Sequence, residues 1–180
     1  MTTSLTKLPG AWERLTDTEW QAWVLTSASP AKGMLTAAPR PTREFEYPIP
    51  GGKVVISVEG DPPAWLDPTA EALAGLLYLG PNWDSYGAHP IDRVHVFAAL
   101  DLLLLVMQDD TPAPTVVPTN RGGVQLEWHA RGIDLEIETL SLHRRHVSFE
   151  DSATNDEWEG EVVSNLTPLV DCIGRLSRHG

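Results

Sequence analysis

Polar and apolar residues alternate most regularly between positions 124 and 138. Val124, Leu126 and Trp128 fall on one side of an extended chain and Gln125, Glu127 and His129 on the other; Ile133, Leu135 and Ile137 then alternate with Asp134, Glu136 and Glu138. Both apolar rows need the same core, and a slip of one residue would turn one of them to solvent. The pattern predicts an antiparallel hairpin that pairs Trp128 with Ile133, Leu126 with Leu135 and Val124 with Ile137, connected through His129-Ala130-Arg131-Gly132. Val147 and Phe149, with His146 and Ser148 outward, continue it as a third strand. The acidic stretch 150–161 reads as a loop that admits a short strand around Trp158 to Val162.

Helical periods flank this region. Asp67-Pro68 reads as an N-cap followed by a proline at the first helical position, where its missing N–H costs nothing, and the helix runs to about Leu79 before Gly80-Pro81 stops it. A second helix from Pro90 to about Gln108 is apolar almost all round, from Val94 to Val106, as expected of a helix covered on more than one side. Leu166, Leu169, Val170, Ile173 and Leu176 give the chain a final amphipathic helix. The order predicts a two-layer α+β fold, an antiparallel β-meander packed on a helical pair and a C-terminal helix.

The N-terminal third is less regular. Thr16-Asp17-Thr18-Glu19 has capping-box spacing, and Trp20, Trp23 and Val24 can share a helical face, so a short helix over about 17–25 is expected. Residues 27–42 are rich in Pro, Ala and Ser without an apolar period. Phe45, Tyr47 and Ile49 alternate with Glu44 and Glu46, Pro50-Gly51-Gly52-Lys53 turns the chain, and Val54 to Val58 returns. That is a hairpin whose first strand, carrying Pro48, belongs at a sheet edge, because proline cannot donate to a ladder. The resulting division is an N-terminal arm over 1–42, with a short helix and a linker, and a single α+β domain over 43–180.

Composition supports a folded chain: 180 residues, 42% hydrophobic and 21% charged. Charge changes the picture more. Thirteen Lys and Arg stand against 25 Asp and Glu, a formal −12, and a field of that sign repels phosphate backbones and anionic membranes. Direct nucleic-acid or membrane binding is therefore not expected, and a basic protein partner or a divalent cation is favoured. The single cysteine, Cys172, excludes an intramolecular disulfide and sits in an apolar helical pattern, as a packed thiol would. The first ten residues lack the pattern of a signal peptide, and the apolar run from Val94 to Met107 is shorter than the ~20 residues of a membrane span. The expected location is cytoplasmic.

Two groups of residues invite chemistry. The outward row of the central hairpin gathers Glu127, Asp134, Glu136 and Glu138 with His129 beside them, and the inferred register sets Glu127 across from Asp134. Like charges placed so cost stability unless a cation, an arginine or a basic partner offsets them. Glu127, His129, Asp134 and Glu136 also have the donor chemistry of a hard-metal site for Mg²⁺ or Mn²⁺. The plainer account is a solvated sheet face with Arg131, Arg144, Arg145 or His146 as counter-charges. The second group is the loop holding Asn82, Trp83, Asp84, Ser85 and Tyr86, where carboxylate, hydroxyl and aromatic groups crowd together. Its structural reading is a tight connection between helices, with Asn82 and Asp84 bonding free amides. The six histidines show no zinc spacing, no Gly-x-Ser-x-Gly elbow occurs, and Asn120-Arg121-Gly122-Gly123 lacks the lysine and helix of a phosphate loop. No catalytic residue and no cofactor follow from these patterns.

Two blocks carry a resemblance. Asn82-Trp83-Asp84-Ser85-Tyr86-Gly87-Ala88, then Pro90, followed by Val116-Val117-Pro118-Thr119, Gly122-Gly123-Val124, Leu126-Glu127-Trp128 and Asp134-Leu135-Glu136-Ile137, resemble a widespread group of small uncharacterised bacterial proteins over residues 70–150. The resemblance implies a helical pair followed by a β-meander, and it implies no activity.

These features favour a non-enzymatic interaction protein, antitoxin-like or immunity-like, that binds a basic protein partner. The contacts expected are Glu127, Asp134, Glu136 and Glu138 together with the N-terminal Trp20 and Trp23, since tryptophan is favoured at interfaces. The alternative is a divalent-metal-dependent hydrolase built on the carboxylate row. The pattern specifies no oligomeric state.

Overall fold

The computed structural model describes residues 41–178, together with the backbone of Ser4–Leu5 and Trp20–Thr26. The chain divides into two compact units, one ending at Pro63 and one beginning at Ala64. This division lies elsewhere than the arm over 1–42 and domain over 43–180 expected from the sequence, because the hairpin at 42–59 groups with the N-terminal residues.

The first unit is a four-stranded sheet. Its strands are β1 (Ser4–Leu5), β2 (Trp20–Thr26), β3 (Thr42–Ile49) and β4 (Gly52–Glu59), in the spatial order β1-β2-β4-β3. The hairpin β3–β4 forms as expected, with Tyr47 opposite Val54 and Phe45 opposite Ile56, and Tyr47, Ile49, Val54, Ile56 and Val58 buried. β3 is an edge strand, which accommodates Pro48. The expected helix over 17–25 is corrected from Trp20 onward: this stretch is a strand, paired parallel with β4. Trp, Val and Thr suit a pleated sheet as well as a helix, and the open edge of β4 satisfies the strand's backbone groups, an outcome that three- and four-residue spacing cannot anticipate. Residues 16–19 and most of the expected linker lie outside the described residues.

The second unit is the predicted two-layer α+β arrangement. It comprises α1 (Leu66–Leu76), α2 (Arg93–Val106), β5 (Thr115–Pro118), β6 (Val124–Ala130), β7 (Ile133–Thr139), β8 (Arg145–Asp151), β9 (Asp156–Val162) and α3 (Thr167–Arg178). The five strands form an antiparallel meander in sequence order. α2 is the hub: Ala98, Ala99, Leu102 and Leu103 are wholly buried, and it packs against α1, α3, β6 and β7. Each fully buried leucine contributes about 1.5–3 kcal/mol relative to exposure. Opposite it lie Val124, Leu126, Trp128, Ile133, Leu135, Ile137, Val147 and Phe149, all buried. The two buried indoles satisfy their N–H groups on carbonyls, Trp65 donating to Gln108 (3.0 Å) and Trp128 to Pro112 (2.8 Å).

Several boundaries move. α1 begins at Leu66 with Trp65 at its N-cap and no side-chain cap, so Asp67 serves in the first turn as a charge near the helix N-terminus. α2 is capped by Asp92, whose carboxylate accepts from Val94 N (2.9 Å). Of the stretch 150–161 expected as a loop, only the turn at 152–155 is one; the rest belongs to β8 and β9. In β9, Glu157, Glu159 and Glu161 alternate with Trp158 and Gly160, so they are the solvent side of an edge strand.

The central register also differs from expectation. Trp128 pairs with Leu135, Leu126 with Ile137 and Ala130 with Ile133, two residues away from the predicted pairing. Both registers keep the apolar rows on one face. The tighter one wins because Arg131 (φ 59°) and Gly132 (φ 76°) both take the left-handed conformation of a two-residue type I′ turn, whose twist matches the strands. The Arg131 guanidinium bonds the Leu176 carbonyl near the end of α3, giving its unusual backbone a tertiary partner.

Candidate functional site

The outward face of the meander is built from three cross-strand rows. Gln125, Glu138, His146 and Glu161 form one; Glu127, Glu136, Ser148 and Glu159 the next; His129, Asp134, Glu150 and Glu157 the third. Eight of these twelve positions are carboxylates and none is Lys or Arg. The sequence identified four of them. It missed Glu150 on β8 and Glu157, Glu159 and Glu161 on β9, although the alternation of the last three around Trp158 was the signal that β9 is a strand.

The predicted pair of Glu127 with Asp134 is replaced by two others, a direct consequence of the register. Glu127 faces Glu136, and His129 faces Asp134. Gln125 Nε2 lies between the two glutamates, donating to Glu127 Oε1 (2.8 Å) and Glu136 Oε2 (3.1 Å). A neutral amide thus offsets part of the repulsion. His129 is held on both sides, its Nδ1 2.7 Å from Asp134 Oδ1 and its Nε2 3.5 Å from Glu127 Oε2. Hydrogen bonds accepted by Asp134 and then by Glu127 raise its pKa from the ordinary value, because both stabilise the imidazolium.

Counter-charges are fewer than the sequence suggested. Arg144 pairs with Glu161 (2.8 Å) and His146 with Glu159 (3.3 Å). Arg131 turns to α3. Arg145 alternates to the inner face, where it is 3% exposed, and Asp101 on α2 is its charge partner. Burial lowers the Arg145 pKa and the Asp101 carboxylate opposes that shift.

As a metal centre the group fails on geometry. Both ring nitrogens of His129 are directed at carboxylates, Glu136 is bonded to Gln125, and among the described residues no group of three or more His, Cys, Asp or Glu side chains is arranged to hold a metal ion. Glu127, His129 and Asp134 are brought together as a trio around the imidazole. Of Trp20 and Trp23 only the backbone is described, in β2 of the first unit.

The loop at 82–88 is a small self-bonded unit. Asp84 Oδ1 accepts from Tyr86 N (2.8 Å) and Ala88 N (3.0 Å), and Asn82 Oδ1 accepts from Gly87 N (2.7 Å). Those bonds, first from Tyr86 and then from Ala88, lower the Asp84 pKa. Asn82 (φ 63°) and Ser85 (φ 66°) are left-handed, a conformation that non-glycine residues adopt at a cost. Trp83 anchors the loop by donating to His89 O (3.1 Å). This loop meets the turn between β5 and β6: His89 N donates to Asn120 O and Asp92 N to Gly122 O, each at 2.9 Å. The two motif blocks, some thirty residues apart in the chain, are therefore one structural unit.

Cys172 is 2% exposed, and burial pushes its thiol up to about 11. Among the described residues no helix is long and apolar enough to cross a membrane. No family model, curated protein or solved structure matches this chain.

Proposed function

We propose that the protein is a non-enzymatic interaction module of the cytoplasm that uses the acidic face of its second unit to bind a basic protein, as an antitoxin or immunity protein binds its target. The observation carrying this reading is the three-row face, with eight carboxylates and two histidines, and Arg144 beside it pairing with Glu161. Such a face raises the rate of encounter with a basic surface and discriminates against acidic ones. Rigidity supports it too, since the carboxylates stand on a sheet whose other side is core and need little ordering on binding.

The test uses a tagged full-length chain and a variant in which the exposed Glu136, Glu150 and Glu159 are changed to Lys. The parent is expected to capture one or more proteins of high isoelectric point, released by about 0.5 M salt, where the Debye length is only several ångströms. The variant captures none of them. Recovery of the same proteins by both chains, or of no basic protein by the parent, overturns the reading.

A further inference from the structure

The joined motif blocks enclose a feature that the acidic face does not use. Tyr86, Gly87, Ala88, His89, Asn120 and Arg121 line a shallow depression of about 260 Å³, just below the ~300–1,000 Å³ of small-ligand sites. Its frame is held by the bonds from Asn82, Asp84 and His89 described above, so the walls are preformed. On this frame Tyr86 is 94% exposed. A loop aromatic whose task is anchoring buries its ring or ties it down, as Trp83 does; Tyr86 is instead held in water by a loop that spends two left-handed non-glycine residues to shape itself.

The polar lining is uncommitted. Among the described residues Arg121 has no carboxylate at ion-pair distance, in a chain of net charge −12, and the side chains of Asn120 and His89 make no hydrogen bond. An exposed phenol ring is a stacking platform, a free guanidinium matches a phosphate bidentately, and an amide both donates to and accepts from the edge of a heterocycle.

We propose that this depression binds a nucleoside monophosphate, its base stacked on Tyr86 and met at its edge by Asn120, its phosphate held by Arg121 beside His89. The net charge does not oppose this. Repulsion of a nucleic acid grows with the number of phosphates brought to the surface. A single phosphate beside Arg121 responds to charges within about 8 Å at physiological salt.

Isothermal titration of the full chain with AMP and UMP, with adenosine and uridine, and with inorganic phosphate tests the site. At least one monophosphate is expected to bind at millimolar concentration or below. Tyr86→Ala and Arg121→Gln each weaken it at least about tenfold, the worth of one stacked base or one charge-assisted hydrogen bond. Both side chains are exposed, so the melting temperature stays at the parent value and reports intact folding; Tyr86→Phe retains binding. The nucleoside binds more weakly and loses its dependence on Arg121. Lack of binding by both monophosphates overturns the proposal. So does inorganic phosphate binding as tightly as either of them, or affinity unchanged in both the Tyr86→Ala and Arg121→Gln chains.

Discussion

His129 Nδ1 lies 2.7 Å from Asp134 Oδ1, directly across the β6–β7 ladder, while its other ring nitrogen faces Glu127 at 3.5 Å. The imidazole thus sits between two carboxylates that favour its charged form. An unfolded histidine titrates near ~6.5, and the folded-state value is raised. The stabilisation is therefore complete below the unfolded pKa and is lost as pH rises through the folded one. Proton NMR should place the His129 midpoint above that of a free histidine, and Asp134→Asn should lower it. Urea unfolding of His129→Gln should show a larger loss at pH 6 than at pH 9; an equal loss at both would contradict the assignment.

Arg175 ties α3 to the sheet. It reaches Asp151 (3.1 Å) and Asp156 (2.8 Å), approaches Asp171 (3.4 Å), and lies 5.5 Å from the centre of the Phe149 ring. Asp151 is 2% exposed, so removing the guanidinium leaves a buried carboxylate without its cation. Arg175→Ala is expected to lower Tm by roughly 5 °C or more, against a much smaller change for Arg144→Ala, whose pair with Glu161 is exposed. Differential scanning calorimetry of the two variants makes the comparison.

Gly122 joins the two motif blocks. Its φ is +85°, and a Cβ there would stand 2.7 Å from the Pro90 carbonyl oxygen, a backbone atom with little freedom to withdraw. Gly122→Ala should destabilise by about 2 kcal/mol or more. Gly75→Ala, where a Cβ meets nothing within 4 Å in the last turn of α1, should stabilise by a few tenths of a kcal/mol through helix propensity. Opposite signs in denaturant melts support the account of both sites.

Cys172 should resist modification. With the thiol at 2% exposure and its pKa pushed up to about 11 by burial, iodoacetamide at pH 8 should label the native chain orders of magnitude more slowly than the urea-unfolded one. Mass spectrometry over an hour distinguishes the two. Rapid labelling of the native protein would show that α3 detaches readily.

Period-two alternation around Trp128 and Leu135, and the apolar girdle of α2, were enough to establish a meander against helices, because burial of one face tolerates little else. Alternation leaves pairing open by two residues. The choice between Glu127 facing Asp134 and Glu127 facing Glu136 fell to the left-handed pair Arg131-Gly132, whose turn geometry is selected by strand twist and by a carbonyl of α3. The same holds for Trp20 to Thr26, where a helical spacing was overruled by the free edge of β4, a partner some thirty residues away. The acids of β9 joined the face only once that strand was seen to pair with β8, since a charge pattern carries no record of its neighbours across a sheet. Local periodicity records what each segment must bury; which groups then meet is a property of the assembled backbone.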